Sequence, residues 1–294
     1  MRRYQEALVA CDQALQGSGT WGDSSPANAW SQRSNAQLGL GKHQDALASA
    51  DRAIALQPSL AEASHYRGVA LWYLKQYTAA QASAEKAIQL NPQFAQAHFS
   101  LGRIRSTQQA GAEPRSRYSF AVDDYNQALS QPLQVNVLIS CNALLANRSG
   151  NIGYLTQDDR NFCAEVLANQ SAVYWQLGKY DINNINNYEN ARKAAVAATE
   201  LNPESFEAWY NRGVALVAIG FYQEAVIAFE QAGKLRPDNV YVLTGQGRAL
   251  EGQGKVWDAL AAYDAALNID PNYQVAKKHR TALIELSKKG GSNT

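Results

Sequence analysis

Between residues 206 and 239, small and apolar side chains return at steps of three and four. Trp209, Gly213 and Leu216 form one series. Tyr222, Ala225, Phe229 and Ala232 form a second, and Pro237 follows. Such steps place each series on one face of a helix. Gly220-Phe221 separates them, so the pattern predicts a helix, a tight turn and a second helix. Nothing from Trp209 to Phe229 carries a catalytic-looking group.

The pattern recurs. Pro58 and Pro92 stand 34 residues apart, as do Pro203 and Pro237, and Pro237 and Pro271. A fixed period of this size predicts a solenoid of stacked units. With the proline at position 32, position 8 is Gly68, Gly102, Gly213 and Gly247. Position 20 is Ala46, Ala80, Ala225 and Ala259, and position 27 is Ala53, Ala87, Ala232 and Ala266. Position 24 is Ala50, Ala84, Phe229 and Tyr263. Small residues at 8 and 20 let two helices cross closely, and the residue at 24 fills the gap between them. Glycine near position 15 (Gly41, Gly178, Gly220, Gly254) is expected to end the first helix. The proline ends the second. Asn91, Asn202 and Asp270 precede three of these prolines and suit a turn.

This set of landmarks resembles the tetratricopeptide repeat (TPR) family. The copy at 206–239 matches it best, and the resemblance covers about residues 2–273 apart from a spacer and two insertions. It implies an all-α fold: a right-handed superhelix, or α-solenoid, of antiparallel helix pairs with a capping helix at the C-terminal end.

In that register, residues 2–15 are a lone second helix with Tyr4, Ala7, Cys11 and Ala14 at positions 17, 20, 24 and 27. A Gly/Ser-rich loop, 17–25, follows. N-terminal repeats occupy 27–132. The third has a turn insertion at about 107–117, and its second helix is expected over 118–130. Residues 133–163 do not fit and read as an irregular helical spacer, with a helix near Gln134–Asn147, a polar loop holding Gly150 and Gly153, and a helix start at Thr156-Gln157-Asp158-Asp159. C-terminal repeats occupy 164–273, the first with an Asn-rich turn insertion at 181–187. Residues 274–289 form the cap, more polar than a repeat helix because one side faces water.

Composition narrows the function classes. With 27 basic and 26 acidic residues the net charge is +1, so no global field favours nucleic acid or an anionic membrane. The longest apolar run, Gly213–Phe221, falls well short of the ~20 residues of a membrane span. Three cysteines, Cys11, Cys141 and Cys163, are too few and scattered for a disulfide scaffold. A reduced compartment, with cytoplasm as default, is the expectation, and Cys11 reads as a packing thiol. Asn147-Arg148-Ser149 and Asn169-Gln170-Ser171 have the form of glycosylation triplets and carry little weight at this length. His43, His65, His98 and His279 share no metal-ligand spacing, and the Asp123-Asp124 and Asp158-Asp159 pairs diverge by about 100° on a helix. Gly245-Gln246-Gly247 lacks the strand and Lys-Ser/Thr end of a phosphate loop. Neither an enzyme, a cofactor nor a metal is expected.

What remains is surface. By resemblance, positions 2, 5, 6 and 9 of each first helix line a concave groove. These are Asn35, His65, Tyr66, Phe99, Arg103, Asn169, Tyr210, Asn211, Tyr241 and Arg248, with Trp72 and Trp175 at position 12 either lining the groove or packing between repeats. Amides pair with a peptide backbone and aromatics supply anchor area. The family's chaperone-tail clamp wants Lys, Asn, Asn, Lys and Arg at set positions. Ser31, Asn35, Tyr66, Gln96 and Ser100 stand there in the first full repeats, and Ala168, Ala172, Asn211, Tyr241 and Gly245 in the last, so that clamp is absent. Arg103, Arg105, Arg115 and Arg117 flank the first insertion and read either as a basic patch for an acidic partner or as a solvated loop. The expected function is a non-catalytic scaffold binding a protein, an extended peptide or a partner helix. One alternative is self-association into a homodimer through an apolar stripe at Leu8, Cys11 and Leu15. Another is the targeting arm of a larger multidomain protein.

Overall fold

A computed structural model describes residues 2–17, 21, 25–108, 113–134, 137–146, 156–181 and 185–290. The chain divides into two compact units, Met1–Gly150 and Asn151–Thr294.

In the first unit, α1 (Arg2–Gln16) lies against α2 (Pro26–Gly39). Helix α2 pairs with α3 (His43–Leu56), α4 (Ala61–Tyr73) with α5 (Tyr77–Leu90), and α6 (Ala95–Thr107) with α7 (Pro114–Ser130). A short antiparallel ladder follows, β1 (Pro132–Gln134) against β2 (Val137–Ser140), and then α8 (Cys141–Ala146). In the second unit, α9 (Gln157–Tyr180) pairs with α10 (Asn186–Leu201), α11 (Phe206–Ala218) with α12 (Tyr222–Leu235), and α13 (Val240–Gly252) with α14 (Val256–Ile269). Helix α15 (Gln274–Gly290) covers α14. The fold is the expected all-α solenoid of helix pairs, with the small ladder as its addition.

The repeat code accounts for the packing. The alanines at positions 20 and 27, Ala46, Ala53, Ala80, Ala87, Ala225, Ala232, Ala259 and Ala266, are all 0% exposed. Where position 24 is aromatic, its ring fills the hollow left by the glycine at position 8. A Cβ on Gly213 would stand 2.7 Å from the Phe229 ring, and one on Gly245, in the next first helix, 2.5 Å from it. Gly41, Gly220 and Gly254 take positive φ after their first helices. The proline turns repeat one bond: Asn91, Asn202 and Asp270 each accept the backbone N–H two residues on, at 3.1, 3.0 and 2.9 Å.

Several sequence expectations change. Gly178 does not end a helix. It lies inside α9 with the Tyr188 ring against it, and the helix runs on to Tyr180. That helix starts at the Thr156–Asp159 capping box and crosses the expected spacer boundary at 163/164 without a break. The helix expected near Gln134–Asn147 is instead a strand, where Val137-Leu138-Ile139 favours extended chain, followed by α8 alone. Helix α7 begins at Pro114, not 118, because Pro at the first helical position and the Glu113 cap start it early. The Asn169 triplet is helical, with Ser171 buried. Asn147, with its triplet, Gly150 and Gly153 lie outside the described residues, as do 109–112 and 182–184 of the two insertions and most of the 17–25 loop.

The N-terminal stripe offered as a self-association surface is partly covered. Leu8 is buried at 7% exposure, and Cys11 and Leu15 are half-buried, because α1 docks on α2. Burial pushes the Cys11 thiol up, with Asp12 adding to the shift and Arg33 opposing it, as suits a packing thiol. Cys141 and Cys163 are both 0% exposed and disulfide-bonded, against the expectation of a reduced chain. Among the described residues no helix is long and apolar enough to cross a membrane, and no cluster of His, Cys, Asp and Glu is placed to hold a metal ion.

Candidate functional site

Each first helix uses one face to meet its second helix and keeps another for the neighbouring repeats and solvent. The predicted groove residues lie on that second face, yet the structure divides them sharply.

In the first unit several are packing groups. His65 is buried between repeats. Its ring stands 5.1 Å from both Tyr66 and Phe94, and its Nδ1 has no partner. Burial, reinforced by Arg103, lowers its pKa to about 4, so the ring is neutral at pH 7. Phe99 is 5% exposed and packs on Tyr125. Both side chains are thus largely covered. Tyr66 is half-buried, and burial, then Glu62 and Tyr4, push its hydroxyl up to about 12. Arg103 lays its guanidinium 4.2 Å over the Trp72 ring, and Trp72 donates from Nε1 to Thr107 Oγ1 at 2.8 Å. Val69, Trp72, Ser100 and Arg103 line a narrow crevice there. Asn35 is half-buried.

Two of the four arginines beside the first insertion are engaged internally. Arg105 holds both Asp124 oxygens, at 2.9 and 3.0 Å, and Glu85 at 3.1 Å. Arg117 donates to the Gln108 carbonyl and to the Tyr118 hydroxyl.

In the second unit the amides are committed. Asn211 Nδ2 donates to the Ala168 carbonyl at 2.8 Å, tying α11 to α9, and Asn169 Nδ2 donates to Glu165 of its own helix. Lys179 sits 4.7 Å over Trp175. The aromatics come together instead. Tyr210 of α11 and Tyr273, just before α15, lie near enough to Arg248 of α13 to feel its charge, and Tyr241 of α13 meets Tyr273. Tyr241 and Tyr273 meet edge to face at 5.5 Å. Tyr210 stacks on Phe206 and tilts against Phe229, both at 6.0 Å. Burial raises the Tyr210 and Tyr273 pKa values, the neighbouring phenols add to this, and Arg248 opposes it. Tyr241 is 54% exposed despite its apolar ring.

Tyr273 escaped the sequence reading, whereas Thr244 stands at groove position 5 of its repeat. Tyr273 is the last residue of its repeat copy, outside the groove positions, and reaches the cluster only because the turn after Pro271 folds back on α13. Thr244, one turn before Arg248, is 3% exposed and its hydroxyl has no partner.

Comparison with known proteins agrees with the repeat register. Family models described as tetratricopeptide repeat match residues 184–239, 215–273 and 61–94. The chain is similar to the small glutamine-rich tetratricopeptide repeat-containing protein 2 of Mycosarcoma maydis, 35% identical over 107 residues, covering 36% of this chain and 30% of that protein. It is also similar to the DnaJ homolog subfamily C member 7 homolog of Schizosaccharomyces pombe, 32% identical over 120 residues, covering 35% of this chain and 25% of that one. The chain thus spans between a quarter and a third of the length of these curated relatives. Among solved structures, Pseudomonas aeruginosa PilF superposes with a TM-score of 0.64 at 15% identity, covering 87% of this chain and 97% of PilF. YrrB, a TPR protein with an unusual peptide-binding site, superposes at 0.53 and 18% identity, covering 79% of this chain and 97% of YrrB. At these identities the likeness is one of fold.

Proposed function

The chain belongs to the tetratricopeptide-repeat family, and from that premise we propose that it is a non-catalytic scaffold whose second unit holds an extended peptide across α11 and α13. Proteins of this family generally mediate protein–protein interactions. The observation that carries the reading is Tyr241. The repeats bury their alanines completely, yet leave this ring 54% exposed beside Tyr273 and Arg248. Exposed aromatics grouped around a cation are the side chains that anchor peptides. The chemistry of the reactive side chains supports the absence of catalysis. The Cys11 thiol is pushed up, His65 is neutral and buried, and His279 is held by Glu251 at 3.0 Å.

The test is a phage-displayed library of random peptides panned against the purified full chain, with enriched peptides then titrated against wild type and Tyr241→Ala. Loss of the ring is expected to weaken binding about tenfold or more, the usual size of an aromatic anchor, with the thermal midpoint unchanged. Peptides that bind both proteins equally would move the site elsewhere.

A further inference from the structure

Arg248 makes no ion pair among the described residues. Three other arginines of the second unit are ion-paired, Arg192 with Glu189, Arg236 with Glu207 and Arg280 with Asp264, while Arg212 donates to Thr199. The carboxylates near Arg248 are already engaged. Glu251, three residues along α13, accepts the Tyr263 hydroxyl at 2.7 Å and faces His279 Nδ1 at 3.0 Å. Asp270 accepts the Asn272 backbone N–H. The guanidinium therefore stands half-buried without a direct ion pair, near the Tyr210 and Tyr273 phenols. Thr244 lies four residues earlier, so its unpartnered hydroxyl shares the Arg248 face of α13.

We propose that this cluster reads an acidic side chain, the carboxylate of an Asp or Glu inside an extended peptide, held by Arg248 and flanked by apolar peptide residues on Tyr210, Tyr241 and Tyr273. The inference rests on the peptide-binding reading above and names the chemistry that site selects. Charge complementarity is the first argument: a planar fork of donors in a partly dry site matches a carboxylate, and such charge-assisted bonds are the strong ones. Position is the second. Arg248 lies in the middle helix of the site, with Tyr210 on the preceding repeat and Tyr273 leading into the following helix. A peptide crossing the site continues on both sides of the guanidinium, so the matching group is an internal side chain rather than a chain end. The tyrosines present flat rings with few rotors to immobilise, which suits apolar flanking residues.

The probe is an array of synthetic extended peptides with a central Glu flanked by Leu, Pro or Tyr. Each is paired with its Gln counterpart, and each is made with free and amidated C-termini. Binding is measured by fluorescence anisotropy to the full chain, to Arg248→Gln and to Arg248→Lys, with thermal midpoints confirming that the variants fold. The expected result is that Glu peptides bind about tenfold tighter than their Gln pairs. That preference should vanish in Arg248→Gln, return in part in Arg248→Lys and shrink as salt rises. Tyr241-dependent binding without a Glu preference, or a preference unchanged in Arg248→Gln, overturns this inference and leaves the peptide-groove reading standing. Binding abolished by C-terminal amidation overturns it in favour of a terminal carboxylate. An array with no binder overturns both readings.

Discussion

A methyl group placed on Gly213 would have nowhere to go. The Phe229 ring lies 2.7 Å from it, and the ring is also packed so closely on Gly245 that a Cβ there would stand 2.5 Å away, so the ring has little room to retreat. Gly39 looks alike by distance, with its Cβ 2.5 Å from the Tyr4 ring. Tyr4, however, is 42% exposed and free to swing outward. The two substitutions therefore separate. Alanine at either site gains about 1 kcal/mol of helix propensity. Gly213→Ala adds an overpacking cost of about 1–3 kcal/mol and is expected to lower the thermal midpoint. Gly39→Ala is expected to leave it unchanged or raise it. Equal effects in both variants, read by differential scanning calorimetry, would show that ring confinement is not what position 8 protects. The same residue-scale view explains which site residues were legible. Tyr210, Tyr241 and Arg248 sit at offsets where a side chain leaves the helix pair, and the structure brings them together. His65 and Phe99 share those offsets, yet Phe94, at the start of the next first helix, meets His65, and Tyr125 of the paired α7 meets Phe99. Spacing fixes the direction of a side chain but not how closely the next repeat approaches.

At the scale of the helix pair, a second code runs beside the apolar one. Arg33 donates to Asp12 at 2.7 Å and to Ser49 at 2.8 Å. Arg67 does the same to Asp51 and Ser83, both at 2.7 Å, and Arg280 to Asp264. All three arginines are at position 7, and all three aspartates are at position 25 of the preceding copy. Each arginine thus ties its own first helix to the second helix before it. The residues were visible in the aligned sequence. Polar positions on a helix surface carry no periodic signal of their own, so only the docked helices reveal the pairing. Where position 7 is Leu101, Glu85 turns to Arg105, which also grips Asp124. The two kinds of tie differ in worth. Arg67 and Asp51 are 35% and 52% exposed, so a double-mutant cycle is expected to give less than about 1 kcal/mol. Asp124 is only 9% exposed and burial pushes its pKa up to about 7 even beside Arg105, so Arg105→Ala leaves a buried acid that takes up a proton and has lost its partner, a loss of about 1–3 kcal/mol. Urea titrations of Arg67→Ala and Arg105→Ala test the ranking, and a larger loss in the Arg67 variant would refute it. The register also made the helix pairs and proline turns legible from sequence. It failed at 132–146 and over the first turns of α9 before residue 164, where no repeat landmark stands and local propensity and capping decide the structure.

At the scale of the whole molecule, the cysteines carry a statement the repeat code does not make. Repeat alanines and glycines are interchangeable from copy to copy, but Cys141 and Cys163 occur once each, beside and within the segment that breaks the period. Both are 0% exposed and disulfide-bonded, while Cys11, at position 24 of its copy, is free. A cross-link acts mainly by restricting the unfolded chain, typically by about 2–4 kcal/mol. The count of thiols decides the matter. Protein unfolded in guanidinium without reductant is expected to react with one equivalent of Ellman's reagent, all of it at Cys11, and with three after reduction. Reduction should also lower the thermal midpoint, and Cys11→Ser should abolish the unreduced signal while leaving that loss intact. Three reactive thiols before any reductant is added would return the chain to the reduced state expected from its sparse, scattered cysteines.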